Sequence, residues 1–297
     1  MTDQSAVPTA KGRVVVGVDG SGASLRALDR AADEAERRGA ELEILCGGLW
    51  PRRAAVPVTQ SDTERFLKAA AEIVDEAVQR VAERAPGLRV VPSTPVETPA
   101  ADALVRASRT AALTVVGTRG RGGFAGLLLG SVSLRVAAHC EGPLMVVRAD
   151  TPDGTAPRGT TMVGLGSEAD KEALRFGFEE ATRRESTLRV LHVWPSPRMP
   201  GRLQLPPREV EEQRAAALAV VREAVAPFRE RYPQVRVKEE EQTGAPAGPL
   251  IEASRAADVL VLSTHARQRR RLGLQLGPAA HAVLHHAHCP VVLVPAQ

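Results

Sequence analysis

Leu113-Thr114-Val115-Val116-Gly117-Thr118-Arg119-Gly120, then nine residues, then Gly130-Ser131-Val132-Ser133, reads as a strand that empties into a glycine-rich loop and restarts as a helix. The apolar run Leu113 to Val116 supplies the strand, and helical periodicity resumes from Val132. Glycines let the backbone approach a bulky anion and take up positive φ, so that successive N–H groups can point into one concave nest. A helix opening at Gly130 adds its positive dipole end, worth roughly 0.3–1 kcal/mol for a surface anion. Ser131 and Ser133 offer hydroxyls there, Arg119 and Arg121 offer charge, and Gly122 and Gly123 extend the loop. This inventory suits a polyphosphate better than a neutral ligand. The competing reading, in which the glycines only make turns, loses weight because the cluster follows a strand, precedes a helix and has Asp19 at the end of a neighbouring strand.

The rest of the first half supplies the sheet around that strand. Arg13 to Val18 is a β-branched run ending at Asp19-Gly20-Ser21, followed by an amphipathic stretch from Ala23 to Arg38. Leu42 to Cys46 reads as a strand, Gln60 to Arg84 as a long helix, Leu88 to Val91 as a strand and Pro99 to Arg109 as a helix. Gly130 to His139 is then a helix and Leu144 to Val147 a last strand. Strands alternating with helices imply right-handed crossovers and a parallel sheet covered on both faces.

The same order recurs. Thr161 to Leu165 matches the first strand, Leu188 to Trp194 the second, Arg208 to Arg231 the long helix, Asp258 to Leu262 the fourth strand and Val291 to Val294 the last. Gly142-Pro143-Leu144-Met145-Val146-Val147 aligns with Cys289-Pro290-Val291-Val292-Leu293-Val294, which fixes the register. The Pro- and Gly-bearing stretch from Asp150 to Pro157 marks a linker. The expected organisation is a domain over 1–149, a linker over 150–159 and a second domain over 160–297.

Composition agrees with a folded α/β chain. With 43% hydrophobic and 25% charged residues among 297, neither disorder nor a membrane span is indicated. Met1 to Arg13 lacks the apolar core of a signal peptide, so a cytoplasmic protein is expected. Cys46, Cys140 and Cys289 show no paired spacing and read as ordinary thiols. The net charge of +4 comes largely from arginines interleaved with acids, which does not demand a nucleic-acid partner.

Gly117, Gly120, Gly130 and Ser131, in this spacing, resemble the signature of the ATP-binding branch of the universal stress protein family. The resemblance covers both halves and includes Gly17-Val18-Asp19 at the end of the first strand. It implies two tandem five-stranded parallel-sheet domains of Rossmann-like, universal stress protein type. It further implies ATP with Mg2+ as ligand, Asp19 against the ribose or the phosphate-bound metal, and backbone near Cys46 and Gly47 lining the adenine pocket. Cys46-Gly47 departs from the family's usual His-Val, which the second half keeps as His192-Val193. Pairing of the two units through their last strands, and of two chains with each other, belongs to the same expectation, as does a regulatory part in stress adaptation. A Walker-type loop is absent, and Gly17-Val18-Asp19-Gly20 lacks the spacing of a dinucleotide fingerprint.

The second copy of the cradle reads as emptied. Ser263 and Ala266 stand where Gly117 and Gly120 do, Gly277-Pro278 replaces Gly130-Ser131, and Gly164-Leu165-Gly166-Ser167 carries no carboxylate matching Asp19. One nucleotide per chain is therefore expected, with the second domain structural or regulatory. The alternatives are a slow ATP hydrolase or adenylate-using enzyme, for which Asp19 is the obvious carboxylate, and a nucleic-acid binder using Arg267, Arg269, Arg270 and Arg271. The bland reading of that basic loop is a solvated surface. His281, His285 and His288 share a helix face that reads as exposed rather than metal-binding, since acidic or thiolate partners are lacking.

Overall fold

The computed structural model describes residues 12–48, 60–95, 98–120, 129–148, 158–167, 170–195, 206–264 and 276–296. The chain divides into two compact units, Met1–Ala149 and Asp150–Gln297. The first runs β1 (Val14–Gly17), α1 (Gly22–Arg38), β2 (Leu42–Leu45), α2 (Gln60–Arg84), β3 (Val90–Ser93), α3 (Ala100–Ala107), β4 (Leu113–Gly117), α4 (Ser131–His139) and β5 (Leu144–Val147). The second runs β6 (Thr160–Leu165), α5 (Lys171–Arg183), β7 (Thr187–Trp194), α6 (Pro207–Arg231), β8 (Val237–Thr243), α7 (Ala247–Ala253), β9 (Val259–Thr264), α8 (Pro278–His286) and β10 (Val291–Pro295).

In the first unit the strands lie in the order β3-β2-β1-β4-β5, all parallel. In the second the order is β8-β7-β6-β9-β10, again all parallel. The chain leaves β1 toward one edge and returns at β4 to build toward the other. Right-handed crossovers therefore place α1 and α2 on one face and α3 and α4 on the opposite one, in keeping with the packing of α1 on α2 and of α3 on α4. The central strands are buried on both faces, which is why Val14, Val15 and Val16 form an unbroken apolar run rather than an alternating one.

The duplication extends to charges that hydropathy does not reveal. Glu34 of α1 and Glu180 of α5 are both fully buried, each paired with an arginine four residues on, Arg38 and Arg184. Both helices then end alike. Gly39 N–H donates to Glu36 O and Ala40 N–H to Ala35 O, while Glu185 N–H donates to Thr182 O and Ser186 N–H to Ala181 O. The turn needs a left-handed residue, met by Gly39 at φ 56° in the first unit and by Glu185 at φ 50° in the second.

Periodicity does not find β8. Val237-Lys238-Glu239-Glu240-Glu241 has no alternation and a single apolar residue, yet it pairs with β7 along its whole length. Its acids are matched by arginines on neighbouring elements. Arg189 of β7 grips Glu240 with two hydrogen bonds of 2.9 and 2.7 Å, Arg222 and Arg229 of α6 face Glu239, and Arg214 meets Glu241. Trp194 Nε1 also donates to Glu241. A charged strand at a sheet edge also discourages pairing with other chains.

Candidate functional site at the β1 and β4 strand ends

In each unit the strand order reverses between two central strands, β1 and β4 in the first, and loops leaving them in opposite directions open a crevice beyond their carboxyl ends. The sequence-predicted residues converge there. Gly17, Val18 and Asp19 end β1, Gly47 follows β2, Gly117 ends β4 with Thr118, Arg119 and Gly120 leading away from it, and Gly130 caps α4, whose first turn is Ser131, Val132 and Ser133. Arg121, Gly122 and Gly123 lie outside the described residues.

Asp19 is held by a closed turn. Ser21 N–H donates to Asp19 Oδ1 at 3.0 Å, Asp19 N–H donates to Ser24 Oγ, and Ser24 N–H donates to Ser21 Oγ to cap α1. Gly20 at φ 75° lets the chain turn between them. The half-buried carboxylate reaches across the crevice, for a Cβ added at Gly120 would lie 2.1 Å from Asp19 Oδ2. Strand end and glycine loop, 101 positions apart by number, thus meet at one point.

At the helix end, Gly130 is extended, at φ −75° and ψ 158°. Its own N–H is spent on Thr118 O at 2.6 Å, which ties the loop's two ends together. The N–H groups of Ser131, Val132 and Ser133 have no acceptor within the helix and face the crevice end of α4. Ser131 and Val132 are exposed, as are Arg119 and Gly120. A carboxylate, a cationic side chain and amide donors around a close backbone approach are chemistry suited to a polar, anionic group rather than an apolar body.

Four expectations change. Among the described residues the glycines at positive φ are Gly20, Gly39, Gly159 and Gly244, so Gly117, Gly120 and Gly130 serve close approach instead. At Gly117 a Cβ would come within 2.7 Å of Ala23 O and at Gly47 within 2.4 Å of Ala100 Cα, both backbone, so these two are required by packing whatever is bound, while at Gly17 it would meet the Leu104 side chain at 2.9 Å. Ser133 does not present its hydroxyl outward; Oγ donates to Gly117 O at 2.7 Å and is buried. Thr118 N–H is likewise committed, to Val147 O. Ser131 is left as the α4 hydroxyl open to a ligand.

The fourth change lies in the second unit, where a carboxylate does occupy the crevice. Asp170, 2% exposed, comes from the start of α5 rather than the end of β6, and its Oδ2 accepts from Gly166 N–H at 2.7 Å and Ser167 N–H at 3.1 Å. An Asp just before a helix is a recognised capping signal and could have been read from the sequence. Ser21 and Ser24 are likewise legible as a capping pair. His192, at the position matching Cys46, turns its Nδ1 to Leu165 O at 2.9 Å. The rings of His281 and His285 lie 4.5 Å apart, and no group of three or more metal-ligating side chains occurs among the described residues. The arginine-rich loop from Arg267 to Arg271 lies outside the described residues.

The sequence profile of the Universal stress protein family matches residues 11–148 and again residues 158–295. The chain belongs to the universal stress protein family. A universal stress protein of Mycolicibacterium smegmatis is 31% identical over 289 residues, covering 95% of this chain and 96% of its own. Another, from Mycobacterium tuberculosis, is 30% identical over 303 residues and covers 94% of each. The crystal structure of a universal stress protein from Archaeoglobus fulgidus shares the fold, with a TM-score of 0.71 over 97% of this chain and 98% of that one at 17% identity. Both tandem universal stress protein units are therefore present. No described helix is long and apolar enough to cross a membrane.

Proposed function

We propose that the first unit of this universal stress protein binds ATP in the crevice between β1 and β4, and that occupancy there regulates the chain in a stress response. One observation carries the reading: the Gly120 backbone sits so close to the Asp19 carboxylate, beside the open first turn of α4, that a Cβ would fill the space. In this reading Asp19 holds the ribose or a phosphate-bound Mg2+. Gly120, Ser131 and the α4 amides hold phosphate oxygens, Arg119 offsets their charge, and backbone after β2 walls the adenine. Asp19 is the carboxylate at this point, so Mg2+ would be held chiefly by the phosphates themselves. The second unit, without the corresponding hydroxyls, is not an ATP site in this reading. A signal requires different affinities in two states of the protein. With a micromolar Kd, about −8.2 kcal/mol, the site would stay filled at millimolar ATP, so a sensor needs weaker binding or competition from ADP.

The test is to denature the purified chain, identify the released nucleotide and count it per chain, then repeat with Gly120→Ala and Asp19→Ala. The expected result is about one ATP per chain in the parent and loss in both variants. Because Gly120 is exposed and its added Cβ meets the end of a side chain, the variant should fold. Two nucleotides per chain, or unchanged retention in both variants, overturns the assignment. Incubating the loaded protein and measuring ADP tests the slow-hydrolase alternative on the same sample. Sedimentation at two concentrations tests pairing between chains.

A further inference from the structure

The histidines near the end of the second unit are grouped differently in space than along the chain. Helical periodicity expects His281, His285 and His288 on one face, but α8 ends at His286. His288 lies beyond the helix, where its N–H donates to Ser254 Oγ at 2.8 Å. The rings that meet are those of His281 and His285, with centroids 4.5 Å apart and planes inclined at 43°. The ring of His286 stands farther off, 6.2 Å from that of His285. Helix geometry explains the meeting. Residues four apart stand one above the other, roughly 5–6 Å between Cβ atoms, so two side chains at this spacing reach the same point in space. Val283 and Leu284 are buried and anchor the helix, while His281 is exposed and His285 half-buried, so the pair can be reached from solvent. Ring packing alone is the plain explanation, yet imidazoles at i and i+4 on one helix face are also a spacing by which helices hold zinc.

We propose that His281 and His285 chelate one divalent first-row transition ion of the class that imidazole prefers, such as Zn2+ or Ni2+, and not Mg2+ or Ca2+. Among the described residues no group of three or more metal-ligating side chains occurs, so water molecules complete the coordination and the site is open and exchangeable rather than structural. Each imidazole must be neutral to donate, so the ion competes with protons. Because both ligands stand on one helix, the ion clamps consecutive turns of α8, whose first residues, Pro278, Ala279 and Ala280, line a cavity of about 250 Å³ at the strand ends of the second unit. The proposal is independent of ATP binding in the first unit.

The experiment is calorimetric titration of the full chain with Zn2+, Ni2+ and Mg2+ on either side of the ordinary histidine pKa, at about pH 7.5 and about pH 5.5. The proposal expects Zn2+ and Ni2+ to occupy a saturable site at the higher pH, Zn2+ to bind at least about tenfold more weakly at the lower one, and Mg2+ not to compete. His281→Gln and His285→Gln should each weaken Zn2+ at that site by about tenfold or more, since losing one of two linked ligands forfeits the chelate. His281 is exposed, so its variant should fold as the parent does. His139→Gln, in the first unit, should leave Zn2+ affinity unchanged. Excess Zn2+ should raise the urea midpoint of the parent and leave that of both α8 variants unmoved. The proposal is overturned if Zn2+ finds no saturable site, if Mg2+ competes with it, if either α8 variant keeps the affinity of the parent, or if His139→Gln loses as much as they do.

Discussion

The two crevices of this chain occupy the same place in the same frame and offer opposite chemistry. The first brings Asp19 from a strand end against Gly120 and opens a helix on Ser131; the second brings Asp170 from a helix start into a leucine- and valine-lined cavity and opens its helix on Pro278. After β2, Gly47 packs on Ala100 with no room for a side chain, whereas its counterpart Val193 lines the cavity. What did not diverge lies away from the ligand. The buried Glu34–Arg38 and Glu180–Arg184 pairs and the identical hydrogen bonds that end α1 and α5 belong to the frame. Duplication thus left packing under constraint in both copies and released the strand-end residues in one.

The strongest way to break that comparison is to attack the shared frame. Removing one member of a buried ion pair leaves the other charge unmatched, at about 3–5 kcal/mol. Glu34→Ala and Glu180→Ala should each destabilise their own unit by that order. Urea unfolding, combined with hydrogen exchange in α1 and α5 peptides, assigns the loss to a unit. If only one of the two variants lowers stability, the pairs are not equivalent and the frame is not held in common.

A smaller effect follows from importing a second-unit residue into the first. Gly47→Val sets a branched side chain against the Ala100 backbone, which overpacking data put at about 1–3 kcal/mol. The loss should appear in the urea midpoint and in faster exchange of α3 amides. A midpoint equal to that of the parent would mean that α3 can move aside, and that Gly47 is there for a ligand rather than for packing.

Ser131→Pro separates affinity from stability. Gly130 at ψ 158° and Gly277 at ψ 153° share the extended conformation that a following proline requires, and Pro278 already occupies the equivalent position. The fold should therefore be unaffected. Losing one N–H to a charged phosphate, worth about 1.5–3 kcal/mol, should weaken ATP roughly 10- to 100-fold in calorimetry. Unaltered affinity would remove the α4 N-terminus from the proposed site.

Hydropathy made most of the frame legible, because parallel strands buried on both faces leave runs such as Val14 to Val16 that little else in a soluble fold produces. It failed at β8, whose stability comes from arginines on α6 and β7 that no local window contains. The motif falls at the strand-end crevice, yet it assigned the cradle glycines to positive φ, whereas Gly117 is set by close packing against Ala23 and Gly120 by its close approach to Asp19. Ser133 was misread for a related cause: a hydroxyl in a first helical turn looks outward until the adjacent strand's carbonyl is known. Asp170 does not stand at Asp19's position along the strand but comes from the start of α5, and space, not register, decides which group fills a crevice.

The smallest expected effect tests the frame from the opposite direction. Glu185 holds φ 50° at the end of α5 because the hydrogen bonds from Glu185 and Ser186 demand it, and a side chain there crowds the following carbonyl. Glycine takes the same angle without that crowding, as Gly39 does, although it loses more backbone freedom on folding. Glu185→Gly should therefore stabilise the second unit by a net of roughly 0.5–1 kcal/mol, and Gly39→Glu should destabilise the first by a similar amount. Both read as shifts in urea midpoint with the slope unchanged. If Glu185→Gly lowers the midpoint instead, the glutamate side chain contributes more through contacts than its backbone angle costs, and the two helix ends are alike in hydrogen bonding but not in energy.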